Sequence, residues 1–188
     1  MRTSVLVLLL MAGFVALQAD QLSHVEGENL LGMKTVLPDA AAGHPAVIVI
    51  GFTHASQSQS KAWVARLQHQ LPVYTIAVLE DAPRLVRGMA VHGMKGGVPE
   101  DQREHFIVIY HNEKELKQAA GFDAQNDAYV LLLDNDGGIR WRFHGPMTDT
   151  AIEQLKSQAA AQPEPTLDVH NVVGQCSNFL DGHRHRAT

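Results

Sequence analysis

The apolar run Ala46-Val47-Ile48-Val49-Ile50 narrows most sharply what this chain can fold into. A short β-branched run of this kind suits a strand covered on both faces, and such strands sit in sheets that carry helices on each side. The residues after it support that reading. Residues 51–60 are short and polar, and Trp63, Val64, Leu67 and Leu71 then recur at helical spacing until Pro72 ends the pattern. Residues 73–79 predict the next strand. Strand, helix, strand in this order is a parallel crossover unit.

The remaining segments extend the alternation. Residues 30–39 read as a short edge hairpin and residues 40–45 as a turn. Asp81-Ala82-Pro83 is a helix-start signal, with Asp81 placed to accept from the orphan amides and Pro83 tolerated in the first turn. Leu85, Val86 and Met89 continue one face of that helix until Gly96-Gly97 and Pro99 break it. Residues 106–110 predict a strand and residues 113–120 a helix. Residues 129–134 and 139–143, joined by Asn135-Asp136-Gly137-Gly138, form a hairpin, because Asp-Gly between apolar strands is a strong turn signal. Thr150 and Glu153 stand at capping-box spacing, and Ile152 and Leu155 mark the buried face of a closing helix. Beyond Ala161 the periodicity fails, and Gln162-Pro163-Glu164-Pro165 opens a polar tail.

At the other end, Met1-Arg2-Thr3 precedes an apolar stretch over residues 4–17, followed by Gln18-Ala19-Asp20. One positive charge, a short apolar core and Ala19 as the last residue read as a secretory signal peptide, with an uncleaved membrane anchor as the alternative. The division is therefore residues 1–19 as signal peptide, 20–161 as one α/β domain and 162–188 as tail, with the mature protein periplasmic or secreted. A membrane enters only if the N-terminal segment stays uncleaved. The net charge of -5 carries no basic footprint for nucleic acid. The single cysteine cannot form a disulfide within the chain, so the core alone must hold the fold.

Two segments carry a resemblance. One is Val47-Ile48-Val49-Ile50-Gly51-Phe52 with its loop and helix. The other is Tyr129-Val130-Leu131-Leu132-Leu133-Asp134-Asn135-Asp136-Gly137-Gly138-Ile139-Arg140. Over about residues 28–160 the chain resembles the thioredoxin-like superfamily in its extracytoplasmic redoxin branch. Within it, Leu133-Asp134 with Ile139-Arg140-Trp141 is similar to the assembly factor of the mitochondrial ATP synthase. The resemblance implies a three-layer α/β/α fold with a central mixed sheet, an N-terminal edge hairpin and a C-terminal tail. It also implies where redox residues would stand. The cysteine pair of the thiol–disulfide members falls at about Gln57 and Ser60, the peroxidatic cysteine at Ser56, and the cis-proline at about Ala128. No cysteine and no proline occupies these positions. A non-proline cis bond costs about 2.5–4 kcal/mol, so the peptide before Ala128 is expected to be trans or the local backbone shifted.

Thiol–disulfide exchange needs an attacking thiolate and a second thiol to resolve the mixed disulfide. Serine hydroxyls cannot replace them, which excludes reductase or isomerase chemistry through this loop. A serine hydrolase would need a positioned base and an oxyanion site, and no Gly-x-Ser-x-Gly elbow occurs. The serines and Gln57 read instead as helix-start caps. His54 stands in a polar loop without partners at ligand spacing; only the fold could bring His92 or His144 to it. Trp63 and Trp141 read as core or sheet-face residues, and Arg140 and Arg142 make one face of the last hairpin basic. In the tail, His170, Cys176, His183 and His185 supply metal-ligand types at a spacing that matches no standard zinc pattern.

The leading expectation is an exported protein of thioredoxin-like fold that lacks the redox pair, needs no cofactor, and binds or assembles a protein partner. Its expected contact patch is Thr53, His54, Ser56, Gln57 and Ser60 with Ala128 and Tyr129. Two alternatives stay open: a redoxin whose working thiol is Cys176, and a metal-delivery protein using Cys176 with the tail histidines.

Overall fold

Alternate residues of the central strand face two different cores. In the computed structural model, which describes residues 20–161, this strand is β3 (Ala46–Gly51). Val47 and Val49 pack with Trp63 and Leu67 of α1 (Gln57–Leu67) and with Ile152 and Leu155 of α4 (Asp149–Ala160). Ile48 and Ile50 pack on the opposite face with Leu116 of α3 (Glu113–Ala120). Full burial on both faces is why the run is continuously apolar rather than alternating.

The other strands extend this sheet. β1 (Val25–Asn29) and β2 (Lys34–Leu37) make the N-terminal hairpin, and β4 (Val73–Val78) follows α1. The helix α2 (Arg84–Gly97) leads to β5 (Phe106–Ile109), and after α3 come β6 (Ala128–Leu133) and β7 (Ile139–His144). The sheet order is β2-β1-β5-β4-β3-β6-β7. β3, β4 and β5 run parallel, whereas β6 and β7 are antiparallel to their neighbours. The result is the expected mixed sheet between two helical layers. At the turn from β6 to β7, Gly137 takes φ +82° while Asp134 Oδ1 accepts from the amides of Asp136 and Gly138.

Four local expectations need correction. The N-terminal hairpin starts earlier than residues 30–39. Its turn is built by Asn29, whose Oδ1 accepts from the amides of Leu31 and Met33, and by Gly32 at φ +86°. The helix α1 ends at Leu67, so Leu71 lies in the following turn and still packs against the α1–α4 core. Asp81 does not cap α2: Pro83 holds the N-cap position in extended backbone, without a side-chain cap. The cap of α4 is Thr148 rather than Thr150, because Thr148 is extended (φ -129°, ψ 153°) and its Oγ1 accepts from the amide of Ala151. Thr148→Ala is therefore expected to cost about 1 kcal/mol, read as a lower urea midpoint at unchanged slope, whereas Thr150→Ala should be nearly silent.

The helix α2 is unlike the others. It contains no buried residue, and the expected apolar face is open to solvent, with Leu85 82%, Val86 48% and Met89 72% exposed. Among the described residues no helix is long and apolar enough to cross a membrane. The segments 1–19 and 162–188 lie outside the described residues, and with them the signal peptide and His170, Cys176, His183 and His185.

Candidate functional site

At the carboxyl end of β3 the chain leaves the sheet at Gly51, and Thr53 is extended (φ -136°, ψ 163°) before a single 3-10 turn, His54–Ser56, feeds α1. The serines do not cap this helix. Ser56 holds the N-cap position without a side-chain cap bond; its Oγ donates to the Thr53 carbonyl at 2.8 Å, and Ser60 Oγ donates to the Ser56 carbonyl at 3.1 Å. Both are buried and packed under Gly51, where an added Cβ would stand 3.1 Å from Ser56 Oγ and 3.4 Å from Ser60 Oγ. Hydroxyls that are buried and already donating are not presented as nucleophiles.

Facing the loop is the start of β6. The cis peptide among the described residues is Leu37-Pro38, so the bond before Ala128 is trans, as expected from the missing proline. An alanine here brings an N–H that a proline lacks, and it is buried. Gln59 receives it: Gln59 Oε1 accepts from the Ala128 amide at 3.0 Å, and Gln59 Nε2 reaches Asp127 Oδ1 at 3.5 Å. Gln59 is not among the residues expected at this site. The available signal was the lost proline, which creates a donor that must find an acceptor.

Tyr129 anchors the preceding loop. Its buried hydroxyl accepts from the amides of Asp123 and Ala124 at 2.9 and 2.7 Å, and its own proton has Asp123 Oδ1 or the Ala124 carbonyl within 3.1 Å. His144 stacks on this ring at 5.4 Å and places Nδ1 2.9 Å from Asp127 Oδ2. Thr53 Oγ1 donates to the Gln125 carbonyl at 3.2 Å, closing the loop from the other side.

Of the seven patch residues, Ser56, Ser60, Ala128 and Tyr129 are thus interior, and only Thr53, His54 and Gln57 reach the surface. His144 is engaged with Asp127 and His92 is exposed on α2. Among the described residues no group of three or more histidine, cysteine, aspartate or glutamate side chains is placed to hold a metal ion. Trp63 is core, as expected, and its Nε1 donates to the Gly145 carbonyl at 3.0 Å. The basic face of β7 is partly neutralised, since Arg142 pairs with Asp20 and donates to the Ala119 carbonyl.

The three surface residues are among those that line a cleft. Between α1, α2 and the sheet lies a mostly apolar cavity of about 720 Å³. Val64 and Ala65 of α1 line one side, and Ala90, Gly93, Met94 and Gly97 of α2 line the other. This volume falls within the range of about 300–1,000 Å³ common for ligand pockets.

Residues 13–160 match the family described as ATP10 protein. No curated protein matches the chain. Several solved structures share its fold. The exposed lipoprotein thioredoxin of Streptococcus pneumoniae is 15% identical, with a TM-score of 0.51 over 72% of this chain and 99% of that one. An uncharacterized conserved protein from Geobacillus kaustophilus is 17% identical, with a TM-score of 0.51 over 78% and 84%. A DsbF homologue from Corynebacterium diphtheriae is 17% identical, with a TM-score of 0.50 over 73% and 85%. At these identities the likeness establishes the thioredoxin-like fold alone.

Proposed function

The chain belongs to the ATP10 protein family, and from that premise we propose that it is an exported, redox-inactive assembly module that binds a protein partner. The observation that carries the reading is the Gln59–Ala128 joint. Where a redoxin keeps an open groove beside its cysteines, this chain ties loop and strand together with its own side chain and has no thiol there. The surface left for a partner is the rim of exposed His54 and Gln57 with half-buried Thr53, together with the uncovered apolar residues Leu85 and Met89 of α2. Contiguous exposed apolar residues beside polar ones are the usual composition of a protein contact. By the resemblance to an ATP synthase assembly factor, the machine served is a multisubunit enzyme of that type.

The test uses the full chain in cells that lack it. Assembled ATP synthase, quantified on native gels, is expected to fall, and the wild-type chain or Cys176→Ser restores it. A Leu85→Glu/Met89→Glu double variant does not, while keeping its thermal midpoint because both side chains are solvent-exposed. Unchanged assembly without the chain would sink the proposal. So would disulfide reductase or peroxidase turnover by the purified protein that survives Cys176→Ser. The N-terminal mass of the isolated protein tests export: cleavage after Ala19 leaves a chain starting at Asp20.

A further inference from the structure

We propose that the outer edge of β7 is a docking site for an acidic segment of a partner protein, added to the sheet as an extra strand. β7 ends the sheet order, so one of its two edges meets no described strand. The pairing with β6 decides which backbone groups face that edge. Gly145 N–H donates to the Ala128 carbonyl, and Phe143 and Trp141 stand opposite Val130 and Leu132, so by alternation these residues turn their backbone groups toward β6. Arg142 and His144 turn theirs outward. The structure already shows one extended segment using this edge. Residues 20–22 lie antiparallel to the start of β7: Ile139 N–H donates to the Asp20 carbonyl at 2.7 Å, Leu22 N–H donates to the Gly137 carbonyl at 3.1 Å, and Gln21 bridges Gly138. The same segment sets the Asp20 carboxylate on the Arg142 guanidinium. Main-chain pairing and a carboxylate on arginine thus occur together in one short contact, and the described pairing ends at Ile139.

Charge selects the occupant. Arg140, Arg142 and His144 alternate along β7 with Trp141 and Phe143, which pack against the core of α1 and α4. The two arginines therefore share the opposite face. Arg140 is exposed and forms no ion pair among the described residues. Side chains directly opposite each other in an antiparallel pair stand about 4.5–5.5 Å apart at Cβ, where opposite charges attract and like charges destabilise. A second copy of this chain fails that condition, because pairing β7 with β7 through the outward residues sets Arg142 against Arg142 or His144. A strand with carboxylates at alternate positions meets Arg140 and Arg142 with the opposite sign. Its other face lies beside Trp141 and Phe143, which are only half-buried, and calls for apolar side chains. Charged residues on an edge strand deter indiscriminate pairing; charges of one sign do so while admitting strands of the other sign. The far edge of the sheet is a poorer acceptor, since β2 has four residues and runs into Pro38, which has no N–H to pair. The β7 edge includes neither His54 and Gln57 nor α2, so it holds or fails independently of the contact surface proposed above.

The experiment titrates the full-length protein with a synthetic peptide of alternating glutamate and valine and follows backbone amide exchange by NMR. Strand addition gives the outward amides of Arg142 and His144 an acceptor, so their exchange is expected to slow by at least about tenfold at saturation, the tenfold corresponding to about 1.4 kcal/mol. A peptide of alternating lysine and valine gives no such protection at the same concentration. The double variant Arg140→Glu/Arg142→Glu reverses the preference: the lysine peptide binds, and the glutamate peptide weakens by at least about tenfold. Arg140→Glu alone changes an exposed side chain without an ion pair, and it weakens the glutamate peptide about threefold; it decides the charge question should the double variant not fold. Equal binding of the two peptides overturns the proposal, as does binding of neither. So does binding that leaves the Arg142 and His144 amides unprotected. Protection of those amides before any peptide is added also overturns it, and a rise of that protection with protein concentration would identify a second copy as the occupant.

Discussion

Trp63→Ala is expected to destabilise the domain by about 3–5 kcal/mol, in the range for large aromatic deletions from a core. Trp63 is fully buried and contacts Phe143 of β7 at 5.5 Å between ring centroids. It packs in the cluster shared by β3, β6 and α4, and its Nε1 donates to the Gly145 carbonyl in the connection from β7 to α4. One side chain therefore joins the helix after the loop to both elements of the closing unit. Truncation leaves a cavity and an orphaned carbonyl together. Trp63→Phe shrinks the cavity but still removes the N–H: most apolar burial survives, and the orphaned carbonyl alone accounts for about 1–3 kcal/mol. Urea unfolding followed by circular dichroism gives both values, and the melting temperature should fall by roughly 2–4 °C per kcal/mol. An alanine variant within about 0.5 kcal/mol of wild type would contradict the packing, since that is the range of surface substitutions.

What was legible in the sequence follows from which forces are local. β3 and β6 were readable because strands buried on both faces must be apolar throughout, and the β6–β7 turn because Asp-Gly chemistry is local. α3 was readable to the residue because its apolar positions Leu116 and Ala120 sit one turn apart and Gly121 closes it at φ +66°. The misplaced features all depend on partners distant in the chain or on backbone angle. Thr148 and Thr150 look alike as letters, and only the extended backbone of Thr148 makes it the cap. The apolar positions of α2 show the right period, yet periodicity cannot reveal that no described element covers them. Serines at a helix start suggest acceptors, but close packing under Gly51 turns Ser56 and Ser60 into inward donors.

The same contrast separates the two halves of the candidate site. The absence of cysteine was visible at once, and it excluded exchange chemistry through the loop. How the vacated groove is closed was not visible, because Gln59 and Ala128 are 69 residues apart and neither is apolar and periodic in a way that pairs them. A polar residue in the first turns of a helix has many solvent-facing explanations. Only the tertiary position of a buried amide gives this one its role.

Gln59→Leu is expected to cost about 1–3 kcal/mol, the desolvation penalty of a buried donor left without an acceptor. The bulk stays similar, so the change is in hydrogen bonding and not in volume. The Ala128 amide loses Gln59 Oε1, and Asp127 loses the contact from Gln59 Nε2. Ala128→Pro supplies the control. Proline has no N–H, and the first residue of a strand is a position where it is tolerated. In that background nothing remains for Gln59 Oε1 to accept from residue 128, so Gln59→Leu should be cheaper by about 1 kcal/mol or more, a coupling within the usual range for residues in contact. The four proteins of the cycle are compared by their urea midpoints at constant slope. Additive costs would mean that Gln59 stabilises the domain by some route other than the Ala128 amide. Coupling of the expected sign would show that Gln59 satisfies the amide that an alanine, in place of a proline, introduces at position 128.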